Sequence, residues 1–175
     1  MQNNIIVKPS TEQQFDRFLR QGRALFFSAP CGFGKTAVAE ALLSGREVLR
    51  LSADSADFSL PSAEADWQIL LLDDLQDMQE EQDWNALCEL IRACPERRFV
   101  LLSRGTPPGS LMAFQYTGLM TVLEADDLLF DADDVRRLLR LYGVEAADSE
   151  IDGILKESVG LSLIHISEPT RQAEI

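Results

Sequence analysis

Apolar residues fall along this chain in short unbroken runs, and amphipathic stretches separate the runs. Ala24-Leu25-Phe26-Phe27, Gln68-Ile69-Leu70-Leu71-Leu72 and Arg98-Phe99-Val100-Leu101-Leu102-Ser103 show no polar alternation, the pattern of parallel strands buried on both faces. Glu47-Val48-Leu49-Arg50-Leu51 and Met120-Thr121-Val122-Leu123 read as a second and a fifth strand. Between them, Glu80 to Cys94 spaces Trp84, Leu87, Cys88 and Ile91 at helical intervals, so this face, Trp84 included, is expected in the core. Phe15, Phe18 and Leu19 form a similar stripe, and Ser10 with Gln13 reads as a capping box that opens its helix. Ala37 to Leu43 reads as a helix ended by Gly45, and Ser52 to Asp66 as a loop with room for one helical turn. Strands that alternate with helices predict an α/β domain with a mostly parallel sheet and right-handed crossovers.

After the fifth strand the pattern becomes purely helical. Asp131 can cap a helix with Val135, Leu138, Leu139 and Tyr142 on one face and Gly143 at its end, and Ser149 opens a further helix with Ile151, Ile154 and Leu155 inward. Such faces are buried only against the preceding domain or a following one, so residues 124–160 are expected to begin a small helical lid.

The chemistry gathers where strands end. Ala29-Pro30-Cys31-Gly32-Phe33-Gly34-Lys35-Thr36 joins the first strand to a helix start. Gly32 and Gly34 let the backbone curl until successive N–H groups face one point, Lys35 adds a charge for β- and γ-phosphates, and Thr36 offers a hydroxyl to Mg²⁺. This is a Walker A phosphate loop with Ala29 in the place of its first glycine, and its expected ligands are ATP or ADP with Mg²⁺. Asp73 and Asp74 close the third strand in the Walker B manner. On a strand adjacent to the loop strand, Asp73 would hold Mg²⁺ and Asp74 would face the attacking water. A plain helix cap or turn is the alternative for each. Arg104 follows the fourth strand at the same carboxyl edge, where it either senses the γ-phosphate or pairs with a surface carboxylate.

The set A-P-C-G-F-G-K-T, I-L-L-L-D-D-L-Q, F-V-L-L-S-R-G-T-P-P and L-E-A-D-D-L-L-F-D-A-D-D-V-R-R-L-L resembles the N-terminal ATPase module of large LuxR-type, maltose-regulator-like bacterial transcriptional activators. These belong to the signal-transduction ATPases with numerous domains (STAND). The resemblance covers residues 10–160 and implies an ASCE/RecA-like P-loop NTPase sheet in the order 5-1-4-3-2, followed by a helical lid. It further implies Asp73 and Asp74 as the Walker B pair, Arg104 as phosphate sensor, and Asp127-Leu128-Leu129-Phe130 with Asp134 as the opening of the lid. The N-terminal lead would lie near the adenine. Leu75-Gln76 departs from the aromatic-His pair that many relatives carry there. The expected organisation is a P-loop ATPase domain over 1–123 and the start of the lid over 124–160. The expected role is a slowly hydrolysing ATP switch that self-associates in the full-length regulator. A stand-alone P-loop ATPase of clamp-loader or AAA type is the alternative.

Composition narrows the partners. Net charge is −13, from 29 acidic against 16 basic residues, and no Lys/Arg cluster suited to phosphate backbones is present, so DNA contact is expected only through a further C-terminal domain. Cys31, Cys88 and Cys94 have no metal spacing and point to a reducing cytoplasm, with Cys31 read as loop filler or an oxidation-sensitive thiol. Met78, Met112 and Met120 read as packing residues, and no apolar run reaches the ~20 residues of a membrane span. Leu161 to Ile175 is expected to be non-native: L-S-L-I-H-I-S-E-P-T-R resembles the in-frame translation of a transposase-type library adapter, with Q-A-E-I fitting a short index barcode. His165 is then without function, and dropping Glu168, Glu174 and Arg171 leaves the chain strongly acidic.

Overall fold

The structure, a computed structural model, describes residues 5, 7–141 and 143–158. The tail 161–175 and Tyr142 lie outside the described residues. Helix α1 (Pro9–Gln21) leads into β1 (Ala24–Ser28), α2 (Lys35–Leu42), β2 (Val48–Ser52) and β3 (Ile69–Asp73). A 3₁₀ turn at Leu75–Asp77 follows, then α3 (Glu81–Ala93), β4 (Arg98–Ser103), α4 (Gly109–Tyr116) and β5 (Met120–Glu124). The short α5 (Ala125–Leu128), α6 (Ala132–Leu141) and α7 (Asp148–Ser158) complete the order.

All strand pairings are parallel, and the five-stranded sheet runs β2-β3-β4-β1-β5. This is the predicted order, and the fold is that of the P-loop NTPases. Unbroken apolar runs on the inner strands follow from it, because side chains alternate between two covered faces. Phe26, Leu70, Leu72, Phe99 and Leu101 enter one core with Leu87, Cys88 and Ile91 of α3 and Leu111 and Phe114 of α4. Leu25, Phe27, Leu71, Val100 and Leu102 enter the other with Phe15 and Phe18 of α1 and Val38 and Ala39 of α2. Each fully buried Leu or Phe contributes about 1.5–3 kcal/mol from area removed from water.

The helical segment after β5 has a third, smaller cluster of Phe130, Val135 and Ile151, with Leu139, Ile154 and Leu155 packed against it. Hydrogen bonds tie this segment to α1 and its cap residue, and Lys8 also pairs with Asp134 at 3.5 Å. Lys8 Nζ donates to the Leu129 carbonyl at 3.0 Å, Thr11 Oγ1 to the Asp127 carbonyl at 2.6 Å, and Gln14 Nε2 to Asp127 Oδ1 at 3.0 Å.

Several local expectations change. The helix cap at α1 is Lys8 without a side-chain bond, because Pro9 takes the first helical position and leaves Ser10 already inside the first turn. Likewise α7 begins at Asp148, where Glu150 accepts the Ala147 N–H at 2.8 Å and Ser149 lies within the helix. Asp131 caps α6 as predicted, accepting the Asp134 N–H at 2.8 Å, and Gly143 follows with φ +71°. The segment between β2 and β3 contains turns and no helix. Trp84 is half-buried and packs against the core beneath α3, with its indole N–H donating to the carbonyl of buried Met78 at 2.9 Å.

Candidate functional site

Three strand ends meet at the carboxyl edge of the sheet: Ser28 of β1, Asp73 of β3 and Ser103 of β4. The expectation that the two motif strands are neighbours is incorrect. β4 pairs with both β1 and β3 and lies between them, and α2 lies over β4. The glycine loop therefore spans the end of β4 before α2 begins. Gly32 and Gly34 make that bend at φ +87° and +71°, a region where a Cβ is strained.

The loop delivers Thr36, in the first turn of α2, to the end of β3. Its Oγ1 donates to Asp73 Oδ2 at 2.8 Å. Lys35 Nζ donates to the carbonyls of Ala29 at 2.6 Å and Pro30 at 3.0 Å. Partial burial, aided by the nearby Arg104 charge, holds the Lys35 ammonium below its ordinary pKa of 10.5, while Asp73 opposes that shift. An anion beside the ammonium would oppose that shift by favouring the charged form, so the loop suits a negatively charged ligand.

Asp74 adopts a left-handed backbone at φ +54°, the single non-glycine residue with positive φ among the described residues. Its N–H donates to Asp73 Oδ1 at 2.8 Å, which fixes the turn out of β3. Its carboxylate gathers contacts from three elements. Arg104 Nη2 approaches Oδ1 at 3.4 Å, Gln76 Nε2 donates to Oδ1 at 2.9 Å, and Ser52 Oγ lies 3.2 Å from Oδ2. Ser52 has one proton and a second carboxylate, Asp54, at 2.7 Å. Arg104 thus faces a carboxylate of the site itself.

Cys31, Gly32, Gly34, Lys35, Thr36, Asp73, Asp74, Gln76 and Arg104 line one cavity of about 310 Å³. Of the predicted residues, Ala29, Pro30 and Phe33 do not line it. Ala29 and Pro30 contribute carbonyls to Lys35, and Phe33 packs against the core that α1 and α2 share with the sheet. Ser52 and Gln76 join the site unassigned: Ser52 at the end of β2 resembles an ordinary loop residue, and Gln76 stands out only as a departure from the aromatic-His pair that follows the two aspartates in relatives.

The donor set suits a hard cation. Thr36 Oγ1 and Asp73 Oδ2, 2.8 Å apart, are the hydroxyl and carboxylate oxygens that would hold Mg²⁺ here. Among the described residues no group of three or more His, Cys, Asp or Glu could hold a metal ion. A second cavity of about 350 Å³ lies between the N-terminal lead and α6, lined by Ile5, Val7, Pro9, Phe130 and Leu138 with Glu12, Asp134 and Arg137 at its polar margin.

No protein-family profile matches the sequence, and comparison with curated proteins finds no match. Solved structures do match. The STAND protein with a tetratricopeptide repeat sensor from Pyrococcus horikoshii aligns over 91% of this chain and 29% of its own, at TM-score 0.56 and 9% identity. A Walker-type ATPase of Pyrococcus abyssi covers 90% and 65%, at 0.54 and 13%. The RuvB Holliday junction branch migration motor of Thermotoga maritima covers 89% and 58%, at 0.54 and 15%. The chain spans less than two thirds of the length of each. At these identities the likeness shows the fold, a P-loop ATPase fold. Among the described residues no helix is long and apolar enough to cross a membrane.

Proposed function

We propose that this chain binds ATP or ADP with Mg²⁺ and acts as a slowly hydrolysing switch module of a bacterial, LuxR-type STAND transcriptional regulator. The observation that carries nucleotide binding is the contact of Thr36 with Asp73 beside Lys35 in one cavity. The loop N–H groups and Lys35 would take the β- and γ-phosphates, and Thr36 and Asp73 would hold Mg²⁺. The cation supplies charge neutralisation across the phosphates. The apolar cavity between the N-terminal lead and α6 would lodge the base, with residues 124–160 as the start of the lid.

Asp74 would orient the attacking water, and Arg104 would leave its long 3.4 Å contact with Asp74 for a γ-phosphate oxygen. That exchange separates ATP from ADP and gives the switch its two states. Self-association and DNA contact would belong to the full-length regulator, the latter through a separate domain, in keeping with a net charge of −13. Titration of ATP and ADP with and without Mg²⁺ tests the reading. It requires Mg²⁺-dependent binding that prefers ATP, and equal binding of ATP and ADP by the parent chain would remove the switch.

A further inference from the structure

Gln76 uses every polar atom of its side chain at the junction of β3 and β4. Its Nε2 donates to Asp74 Oδ1 at 2.9 Å and to Asp77 Oδ2 at 3.1 Å, and its Oε1 accepts the Arg104 N–H at 3.1 Å. Only this amide orientation fits, since the reverse would set an NH₂ against the Arg104 N–H and an oxygen against two carboxylates. The residue's backbone is equally fixed. It sits in the 3₁₀ turn anchored by fully buried Leu75, with the Asp77 N–H bonded to the Asp74 carbonyl at 2.9 Å.

The other partners of the Asp74 carboxylate are weaker. Arg104 reaches it at 3.4 Å from a side chain 55% exposed, and the Ser52 proton has the closer Asp54 oxygen at 2.7 Å. When a phosphate draws Arg104 away, Gln76 remains as the neutral donor on Asp74. Its other end holds the backbone from which the Arg104 side chain springs.

We infer that Gln76 is a positioning residue: it aims the Asp74 carboxylate at the phosphate cavity and keeps that aim when Arg104 moves. This rests on the ATP-hydrolysing reading above. A neutral amide is suited to the task because it orients the carboxylate without forming an ion pair that a phosphate would compete for. Its two arms also fix the separation between the ends of β3 and β4.

The test uses the whole chain and its Gln76→Met, Gln76→Glu, Asp74→Asn and Asp74→Asn/Gln76→Met variants. Binding is read with a fluorescent ATP analogue, and hydrolysis in single turnovers with protein in excess over ATP. Gln76→Met keeps the side-chain length and loses both arms, whereas Gln76→Glu keeps an acceptor for the Arg104 N–H and loses the donor to Asp74. The expected result for both is a single-turnover rate about tenfold lower or more, with nucleotide affinity within about threefold of the parent. In the Asp74→Asn background, Gln76→Met should cause no further loss. Parental rates in both single variants, equal losses of affinity and rate, or a full further loss on Asp74→Asn would each overturn the positioning role. A parent that binds no nucleotide would instead overturn the underlying reading, and one that binds without measurable single-turnover hydrolysis would overturn the role of Asp74 and that of Gln76 together.

Discussion

Thr36 Oγ1 donates to Asp73 Oδ2 at 2.8 Å, a contact between residues 37 positions apart that joins the start of α2 to the end of β3 across the intervening β4. It brings the two motifs together, and the first prediction follows from it. Asp73→Ala should cost the nucleotide-free protein about 1–3 kcal/mol, because it removes two hydrogen bonds, from the Thr36 hydroxyl and from the Asp74 N–H, each worth about 0.5–1.5 kcal/mol. Nucleotide affinity should lose its dependence on Mg²⁺. Titrations of ATP at fixed and at zero Mg²⁺ check this, and an unchanged Mg²⁺ response in the variant would remove Asp73 from the cation site.

Arg104 faces Asp74 at 3.4 Å with a largely exposed side chain, a contact weak enough to exchange for a phosphate oxygen. Arg104→Ala should reduce the preference for ATP over ADP by about tenfold, the value of one charge-assisted hydrogen bond of ~1.5 kcal/mol. Parallel ATP and ADP titrations measure it, and an unaltered ratio would leave Arg104 as a surface partner of Asp74.

Turnover separates the two functional classes. Asp74 is shorter than the glutamate that many hydrolases place there and reaches less far, so steady-state hydrolysis by the purified chain should fall well below the roughly 1–100 s⁻¹ of a phosphotransferase. A coupled phosphate-release assay decides. A rate inside that range would favour a stand-alone ATPase.

Away from the site, Arg50 of β2 donates through Nε and Nη2 to the two carboxylate oxygens of Glu40 of α2, both at 2.8 Å. The Arg50 hydrogen bond holds the Glu40 pKa below its ordinary 4.5 despite some burial. A lowered carboxylate pKa stabilises the fold above the ordinary value, and that contribution is lost as pH falls through the folded value. Glu40→Gln should therefore cost about 0.5–1 kcal/mol at pH 7 in urea denaturation, as expected for an exposed bidentate pair. The gap to the parent should close as pH drops below the ordinary glutamate range, and a gap constant from pH 7 to acid would show that the ion pair does not set it.

The strands and most helices were legible because burial on both faces writes an unbroken apolar run, as in Leu70-Leu71-Leu72 and Val100-Leu101-Leu102. The strand order came from resemblance rather than pattern. Periodicity says nothing about which strands pair, and that is why the phosphate-loop strand and the Asp73 strand were wrongly read as adjacent. Helix starts were legible where a side chain caps them, as at Asp131, and misread where Pro9 or Glu150 sets the boundary. Lys35 and Thr36 were visible in the glycine loop motif and Asp73, Asp74 and Arg104 at strand ends, and all five line one cavity. Ser52 was not visible, and Gln76 stood out only as a departure from the resembled pattern, because their contacts depend on distances between β2, β3 and β4 that no local spacing encodes.

Isothermal titration of ATP·Mg²⁺ into the parent chain and into Lys35→Ala tests the central claim most directly. Lys35 donates to the Ala29 and Pro30 carbonyls at 2.6 and 3.0 Å, and the ammonium lines the phosphate cavity. The account predicts measurable binding by the parent and a loss of at least about tenfold in the variant, the scale of a charge-assisted phosphate contact. Equal affinity of Lys35→Ala and the parent at low salt would contradict it.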